Sequence, residues 1–216
     1  SLLTVRNRNI SDQQTLDRTI WSPLPYGRLY WRIIPDLSVN ANYYYSLSYP
    51  DLEKLSPVRY YCGNNIYRQG NPSLKAMSMH YVQGELDYKG ILKLTYMHRF
   101  SDNDLTDYFV TTPSKEVIQT YANSDFQHSY VGLEGDFDIA GTINWHTTAS
   151  YQWYRRSSDV TSANHGYTWY LDTQASYRFK SIGLLATASY LLSYDKRPLL
   201  QGKEYTQQET LAIGFR

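Results

Sequence analysis

The sequence has a single cysteine, Cys62, in 216 residues. No intrachain disulfide can form, and there is no paired-cysteine metal or redox motif. Long apolar runs are also missing. Nothing approaches the roughly 18 residues of a membrane helix, and mean hydropathy is −0.56. Neither charge is in excess: 21 Lys and Arg face 20 Asp and Glu, for a net charge of +1. That balance argues neither for nucleic acid nor for an acidic partner. No stretch keeps a helical period. At the start, Ser1-Leu2-Leu3 runs into Thr4 and Arg6, so no signal peptide is visible. The chain is therefore expected to have lost a targeting segment or to be a piece of a longer one.

What is abundant is tyrosine, 23 residues against 6 phenylalanines. Tyr is a strand former with an apolar ring and a wet tip, suited to interfaces. The stretch Leu37 to Tyr49, LSVNANYYYSLSY, shows the design. Its odd positions are apolar or aromatic. Its even positions are small and polar, with Tyr44 the exception. Period two means a strand with one greasy and one wet face. Its length suits a tilted strand crossing a bilayer, which needs roughly 9–11 residues.

The same alternation returns along the chain. Strands are expected at 26–33, 37–49, 79–88, 91–100, a stretch ending at Ile139, 142–153, 167–179, 182–194 and 205–215. Residues 1–9 read as the end of another. Ser11 to Arg18, Ser101 to about Lys115, Tyr154 to Gly166 and Asp195 to Glu204 read as polar loops. Pro50 to Met77 reads as a long connection of the kind that carries function. Tight turns are expected near residues 35, 90, 140 and 181, with long connections between them. That short–long alternation is the habit of outer-membrane barrels.

Side-chain placement agrees. Aromatics gather toward strand ends, while Ala, Thr, Leu and Gly fill the middles of the greasy faces. A water-soluble core would need bulky aliphatics there. Lipid fills that volume itself, with aromatic girdles at its two interfaces. Charges such as Glu85, Asp87, Lys93, Arg99, Glu134, Asp136, Asp172 and Arg178 fall on the opposite parity. The expected fold is all-β, an antiparallel up-and-down transmembrane β-barrel or an open portion of one. About ten strands are expected.

Chemistry-bearing residues are sparse. The five histidines, His80, His98, His128, His146 and His165, have no metal-ligand spacing, so no metal and no cofactor is expected. Asp102, Asp104 and Asp107 lack the glycine and terminal glutamate of a calcium loop. Glu134, Asp136 and Asp138 share one strand face and read as a wet lumen wall rather than a hydrolytic pair. Ser157-Ser158-Asp159 and His165 lie in one expected loop, but a Ser–His–Asp triad also needs an oxyanion hole and a geometry that spacing does not supply. The expectation is that the chain is not an enzyme. Gly63, Gly70 and Gly90 read as turn glycines. Tyr60, Tyr61, Tyr67 and Arg68, in the long connection, are the candidate ligand-reading residues.

Three stretches carry a resemblance. The first is Gly70-Asn71-Pro72-Ser73-Leu74-Lys75, followed by the strand HYVQGELDY. The second is Tyr45 to Leu52 with Leu55-Ser56-Pro57. The third is Tyr121-Ala122-Asn123 with Tyr130 to Glu134. In order and spacing these resemble the barrel of a TonB-dependent receptor, across roughly residues 16–216. Gly70, Asn71, Pro72, Leu74, Asn123, Gly132 and Glu134 match its motif positions. Ala76-Met77 stands where the family has Pro-Glu. The resemblance implies uptake of a scarce ligand, an iron chelate, vitamin or glycan, across the bacterial outer membrane. It implies outer-membrane lipid and a periplasmic energy-transducing TonB complex as partners. Such barrels have about 22 strands, so residues 1–216 are expected to be one late barrel segment, without plug domain or signal peptide. Two other readings stay open. One is a soluble secreted β-protein binding carbohydrate through Tyr-rich loops. The other is an outer-membrane barrel enzyme such as a lipase.

Overall fold

The computed structural model describes residues 2–8, 15–21, 23–198 and 203–215. In chain order the elements are β1 (Leu2–Arg8), β2 (Thr15–Trp21), β3 (Tyr26–Ile34), β4 (Leu37–Ser48), α1 (Leu52–Leu55), β5 (Arg59–Gly63) and β6 (Ile66–Gln69). They continue with β7 (Met77–Tyr88), β8 (Leu92–Thr111), β9 (Val117–Ile139), β10 (Ile143–Ser157), β11 (Asn164–Phe179), β12 (Leu184–Pro198) and β13 (Lys203–Phe215). β1 and β2 form a separate antiparallel pair. The main sheet runs β3-β4-β7-β8-β9-β10-β11-β12-β13, each strand antiparallel to the next. β3 and β13 are its two ends and do not pair, so the sheet does not close.

The tight turns are built locally. In Tyr88–Ile91 and Ile139–Thr142 both central residues have positive φ: Lys89 59° and Gly90 66°, Ala140 53° and Gly141 64°. Such turns match the twist of the strands they join. Each is closed by an aspartate three residues before its glycine. Asp87 Oδ1 accepts from the Gly90 N–H and Asp138 Oδ1 from the Gly141 N–H, both at 2.9 Å. The β3–β4 turn sits beside the β7–β8 turn, where the Lys89 N–H donates to the Asp36 carbonyl at 2.7 Å. The Asp36 carboxylate, 3.2 Å from Lys89 Nζ, holds that ammonium above its ordinary pKa. Both groups are exposed, so the pair adds little stability.

Register carries the outward face across the sheet. Trp31, Val39, Leu86, Leu94, Leu133, Ala149 and Leu171 stand opposite one another in a single row over seven strands. The β9–β10 hairpin then overhangs its neighbour by four residues, since Leu92 pairs with Gly135 while β9 continues to Ile139. Stagger of this kind gives barrel strands their tilt.

The outward face is apolar and bare. Leu133 is 40% exposed and Tyr151 47%. Among the described residues the only buried hydrophobic side chains are Leu74 and Ala122. The accessible surface is 14128 Å², against about 10,300 Å² for a water-soluble globule of this mass. On β10 the outward run from Ile143 to Trp153 spans about 25 Å once tilt is allowed for, the height of a lipid-facing band. Phe137, Trp145 and Tyr177 crowd its lower end and Tyr151, Trp153 and Tyr167 its upper end. Between them lie Gly135, Thr147, Ala149 and Thr173.

Several expected loops are strands instead. Thr15–Arg18, read as loop, belong to β2, while 11–14 lie outside the described residues. Leu16 and Ile20 keep the two-residue period that Asp17 and Arg18 obscure. Ser101–Thr111 continues β8, leaving only a short turn at 112–116. β10 runs on to Ser157 and β11 begins at Asn164. Residues 195–198 and 203–204, also read as loop, belong to β12 and β13, and 199–202 lie outside the described residues. Above the membrane a strand is wetted on both faces. Its polarity then reports solvent, not the lack of a pairing partner. With β2, and with β5 and β6 inside the long connection, the described residues hold thirteen strands where about ten were expected.

β8 and β9 are 20 and 23 residues long, about twice what a bilayer needs. Their upper halves rise beyond β10, whose pairing with β9 ends at Asp125. The β4–β7 connection reaches this projecting edge. β6 pairs parallel with β9, Ile66 opposite Val117, on the side of β9 away from β8.

Candidate functional site

The inward face carries a belt at the height where the long connection begins. Tyr26, Tyr44, Tyr81, Arg99, His128 and Tyr154 stand opposite one another across six strands. Tyr44, the exception on the wet face of its strand, stacks on Tyr81 with centroids 4.7 Å apart and planes at 22°. His128 stacks on Tyr154 at 4.6 Å and 12°. Its Nε2 lies 2.9 Å from Gln152 Oε1.

The tyrosine hydroxyls bend toward the tight-turn rim. Tyr81 donates to Gln83, Tyr154 to Gln152 and Tyr170 to Asp172, at 3.0, 2.8 and 3.1 Å. Tyr130 folds the same way, over Gly132, where any Cβ would collide with its hydroxyl. Anchored through their tips, these rings turn faces rather than hydroxyls to the lumen.

Above the belt, Phe126 lies between two arginines. Arg156 stands 4.5 Å and Arg99 5.4 Å from its ring. Asp104 joins them, 3.0 Å from Arg156 and 3.6 Å from Arg99. Arg156 also donates to Ser124 Oγ at 2.7 Å, and Arg99 to Ser101 Oγ at 3.1 Å. Both serines are buried. Asp104 reaches this position through a break in the β8 register between Ser101 and Asp104, where Asn103 takes φ 58°. Without that bulge the strand would present the neighbouring residue. The arrangement can hold planar or anionic groups against fixed rings and guanidinium planes.

The motif residues are joints. A Cβ on Gly70 would meet the carbonyls of Ser56, Lys54 and Glu53 at 2.5, 2.6 and 2.7 Å. Gly70 is therefore a close-approach glycine, not the turn glycine expected; the positive φ angles belong to Gly63 and Gly90. The Asn71 N–H donates to the Lys54 carbonyl at 2.7 Å. Its side-chain amide donates to the Tyr121 carbonyl at 2.9 Å. Asn123 accepts from the Lys75 N–H at 2.8 Å and donates to the carbonyls of Lys75 and Asn103, at 3.2 and 2.9 Å. One carboxamide thus ties β9, the β8 bulge and the chain entering β7. Leu74 is 1% exposed, and Pro72 lies in the turn before it.

The four loop candidates share one hairpin but not one face. Tyr61 and Tyr67 stand opposite each other with rings 5.3 Å apart. Tyr60 and Arg68 pair on the other side, where Arg68 lies 3.8 Å from Glu53. Tyr60 and Tyr61 are exposed.

The acidic stripe is divided among separate neighbours. Glu134 pairs with Lys93 at 3.3 Å, Asp136 with His146 at 2.6 Å, and Asp138 closes the turn at Gly141. Ser158 Oγ serves Thr161. Among the described residues no three metal-capable side chains converge. Sequence reasoning missed Asp104, Phe126, His128, Tyr154 and Arg156. Aromatics on the wet parity of β9 and β10 were the available signal.

A sheet with a lipid-ready outward face, girdles at both ends and a polar, aromatic inward face is the wall of a transmembrane β-barrel. The chain belongs to the outer membrane protein beta-barrel family, which it matches over residues 3–214. It is accordingly a protein of the bacterial outer membrane. No curated protein and no solved structure matches it.

Proposed function

We propose that this barrel wall belongs to a TonB-dependent receptor that takes up a scarce ligand through the outer membrane. The observation that carries the reading is where the receptor-like motif residues sit. Gly70, Asn71 and Asn123 hold the β4–β7 connection against β9 above the lumen belt. A connection so fastened is a preformed reading surface, with less ordering entropy to lose on binding. Tyr61 and Tyr67 present one aromatic face of it, and the belt meets what passes inward. In this reading the long connection faces outside and the tight turns face the periplasm, where the TonB complex would act. The ligand is an iron chelate, a vitamin or a glycan, and no chemical step is assigned. A soluble secreted binder is set aside, because the exposed apolar face and the family both belong to a membrane.

The test is uptake by cells carrying the full receptor, with and without a working TonB complex. Radiolabelled ferric chelates, a corrinoid and oligosaccharides form the panel. Saturable uptake of one ligand that vanishes without TonB is the expected result. Uptake that persists unchanged would make the barrel a passive pore and overturn the reading.

A further inference from the structure

The upper outward corner of β10, β11 and β12 changes character in one step. From the tight turns up to Trp153, Tyr167 and Tyr194, no outward position on these strands is charged. The next outward positions are Arg155, His165 and Lys196. Arg155 stands directly opposite His165, and Lys196 opposite Tyr167, one pair below. Directly opposed Cβ atoms are about 5 Å apart and diagonal neighbours about 7–8 Å. His165 on the middle strand is therefore the neighbour of both long cations, Arg155 directly opposite and Lys196 on the diagonal.

Beneath them the aromatics form a continuous patch. Tyr151 lies 6.2 Å from Tyr167, and Tyr167 lies 5.4 Å from Tyr194. Lys196 Nζ stands 5.7 Å over the Tyr167 ring. Its backbone is held in place, because the Lys196 carbonyl closes on Gly166 where no Cβ would fit.

The same strands supply an internal contrast. Arg155-Arg156 and Lys196-Arg197 are paired basic residues, one outward and one inward on each strand. The inward members meet acids, Arg156 with Asp104 and Arg197 with Asp195. Arg155 and His165 are exposed, and among the described residues no carboxylate pairs with either. Arg156 and Arg197 are thus neutralised toward the lumen, while Arg155 and His165 keep their exposure toward the lipid.

We propose that Arg155, His165 and Lys196 bind the phosphate of a lipid headgroup in the leaflet bordering this rim, with the Trp153–Tyr167–Tyr194 patch against its acyl chains. Interfacial aromatics set the depth and cations reaching past them meet the headgroup layer. A free phosphate would use the cations but leave the aromatic patch bare. An acidic protein surface would have to enter the membrane to cover it. The site concerns the outward face and does not depend on which ligand is imported.

The full protein is reconstituted in phosphatidylcholine vesicles containing bisphosphorylated lipid A, or the same lipid with its phosphates removed. Lipid retained after detergent extraction is read by native mass spectrometry. The expected result is retention of the phosphorylated lipid alone. It should fall about tenfold or more in Arg155→Gln/Lys196→Gln and recover in Arg155→Lys/Lys196→Arg. Lys180→Gln, a cation at the opposite rim, should leave it unchanged. Equal retention of both lipids by the unaltered protein overturns the proposal, and that comparison needs no variant to fold. So does equal retention by the folded double variant, or displacement of the lipid by inorganic phosphate alone.

Discussion

The lower and upper halves of the wall use the same strands under different rules. Below, alternation decides everything. Outward residues are bare and apolar, inward charges are shared between neighbours such as Lys93 and Glu134, and turns of two to four residues close the hairpins. Above, β8 is bulged, Asp104 and Arg156 are mostly shielded from water, Ser101 is fully buried, and a connection from β4 lies against β9. Lipid supplies the solvent for the lower half, so its strands need no covering. The upper half stands in water and must bury polar groups against its own chain. Each such group then needs a named partner.

The largest effect should come from breaking the lower rule. Ala149→Arg places a charge in the middle of the outward row and should cost about 2–4 kcal/mol, while Ser150→Arg, facing the lumen, should cost little. Urea titration of folding into lipid vesicles measures both, and equal losses would refute the facing assigned here. Next is Asp104→Ala, which strips the shared carboxylate from Arg99 and Arg156. Removing one partner of a shielded ion pair costs about 3 kcal/mol, and Asp104→Asn should recover part of it. A loss below that of an exposed control such as Asp36→Ala would show that the upper cluster is solvated after all.

Asn123→Ala removes the hydrogen bonds to the Lys75 and Asn103 backbone groups, those to Lys75 being exposed to water, and should cost about 1 kcal/mol. Protease cleavage within residues 50–76 should rise in the folded protein, because the connection loses its tie to β9. Unchanged cleavage would mean that Asn71 alone holds it. The smallest effect lies at the other rim. Ala140 occupies the left-handed region at φ 53°, which costs a non-glycine residue about 1 kcal/mol. Ala140→Asn should raise stability by up to that amount, read in the same titration, whereas Gly141→Ala should lower it.

These halves also divide what could be read beforehand. Leu37–Tyr49 announced its strand, its facing and its length because one period-two pattern encodes all three. Asp87-Tyr88-Lys89-Gly90 announced its turn because the required backbone is local. Ser101–Lys115 misled, because outside lipid neither face is greasy and the pairing partner lies elsewhere in the chain. The motif Gly70 to Lys75 was visible as letters. That Gly70 is crowded by the carbonyls of residues 53–56 was not, since crowding depends on what folds against it.

By itself the sequence determined a membrane-facing antiparallel wall. Alternation, strand length and the placing of aromatics and charges are local consequences of a strand between lipid and water. Only the tertiary structure decided the rest. Register put Tyr44 on Tyr81 and His128 on Tyr154. The β8 bulge turned Asp104 toward two arginines from separate strands. The β4–β7 connection crossed to β9, and Arg155 and Arg156 met different neighbours, His165 and Asp104. Each of these depends on which residue of a distant strand stands opposite. That is set by the summed pairing energy of the whole sheet, and no single segment carries it.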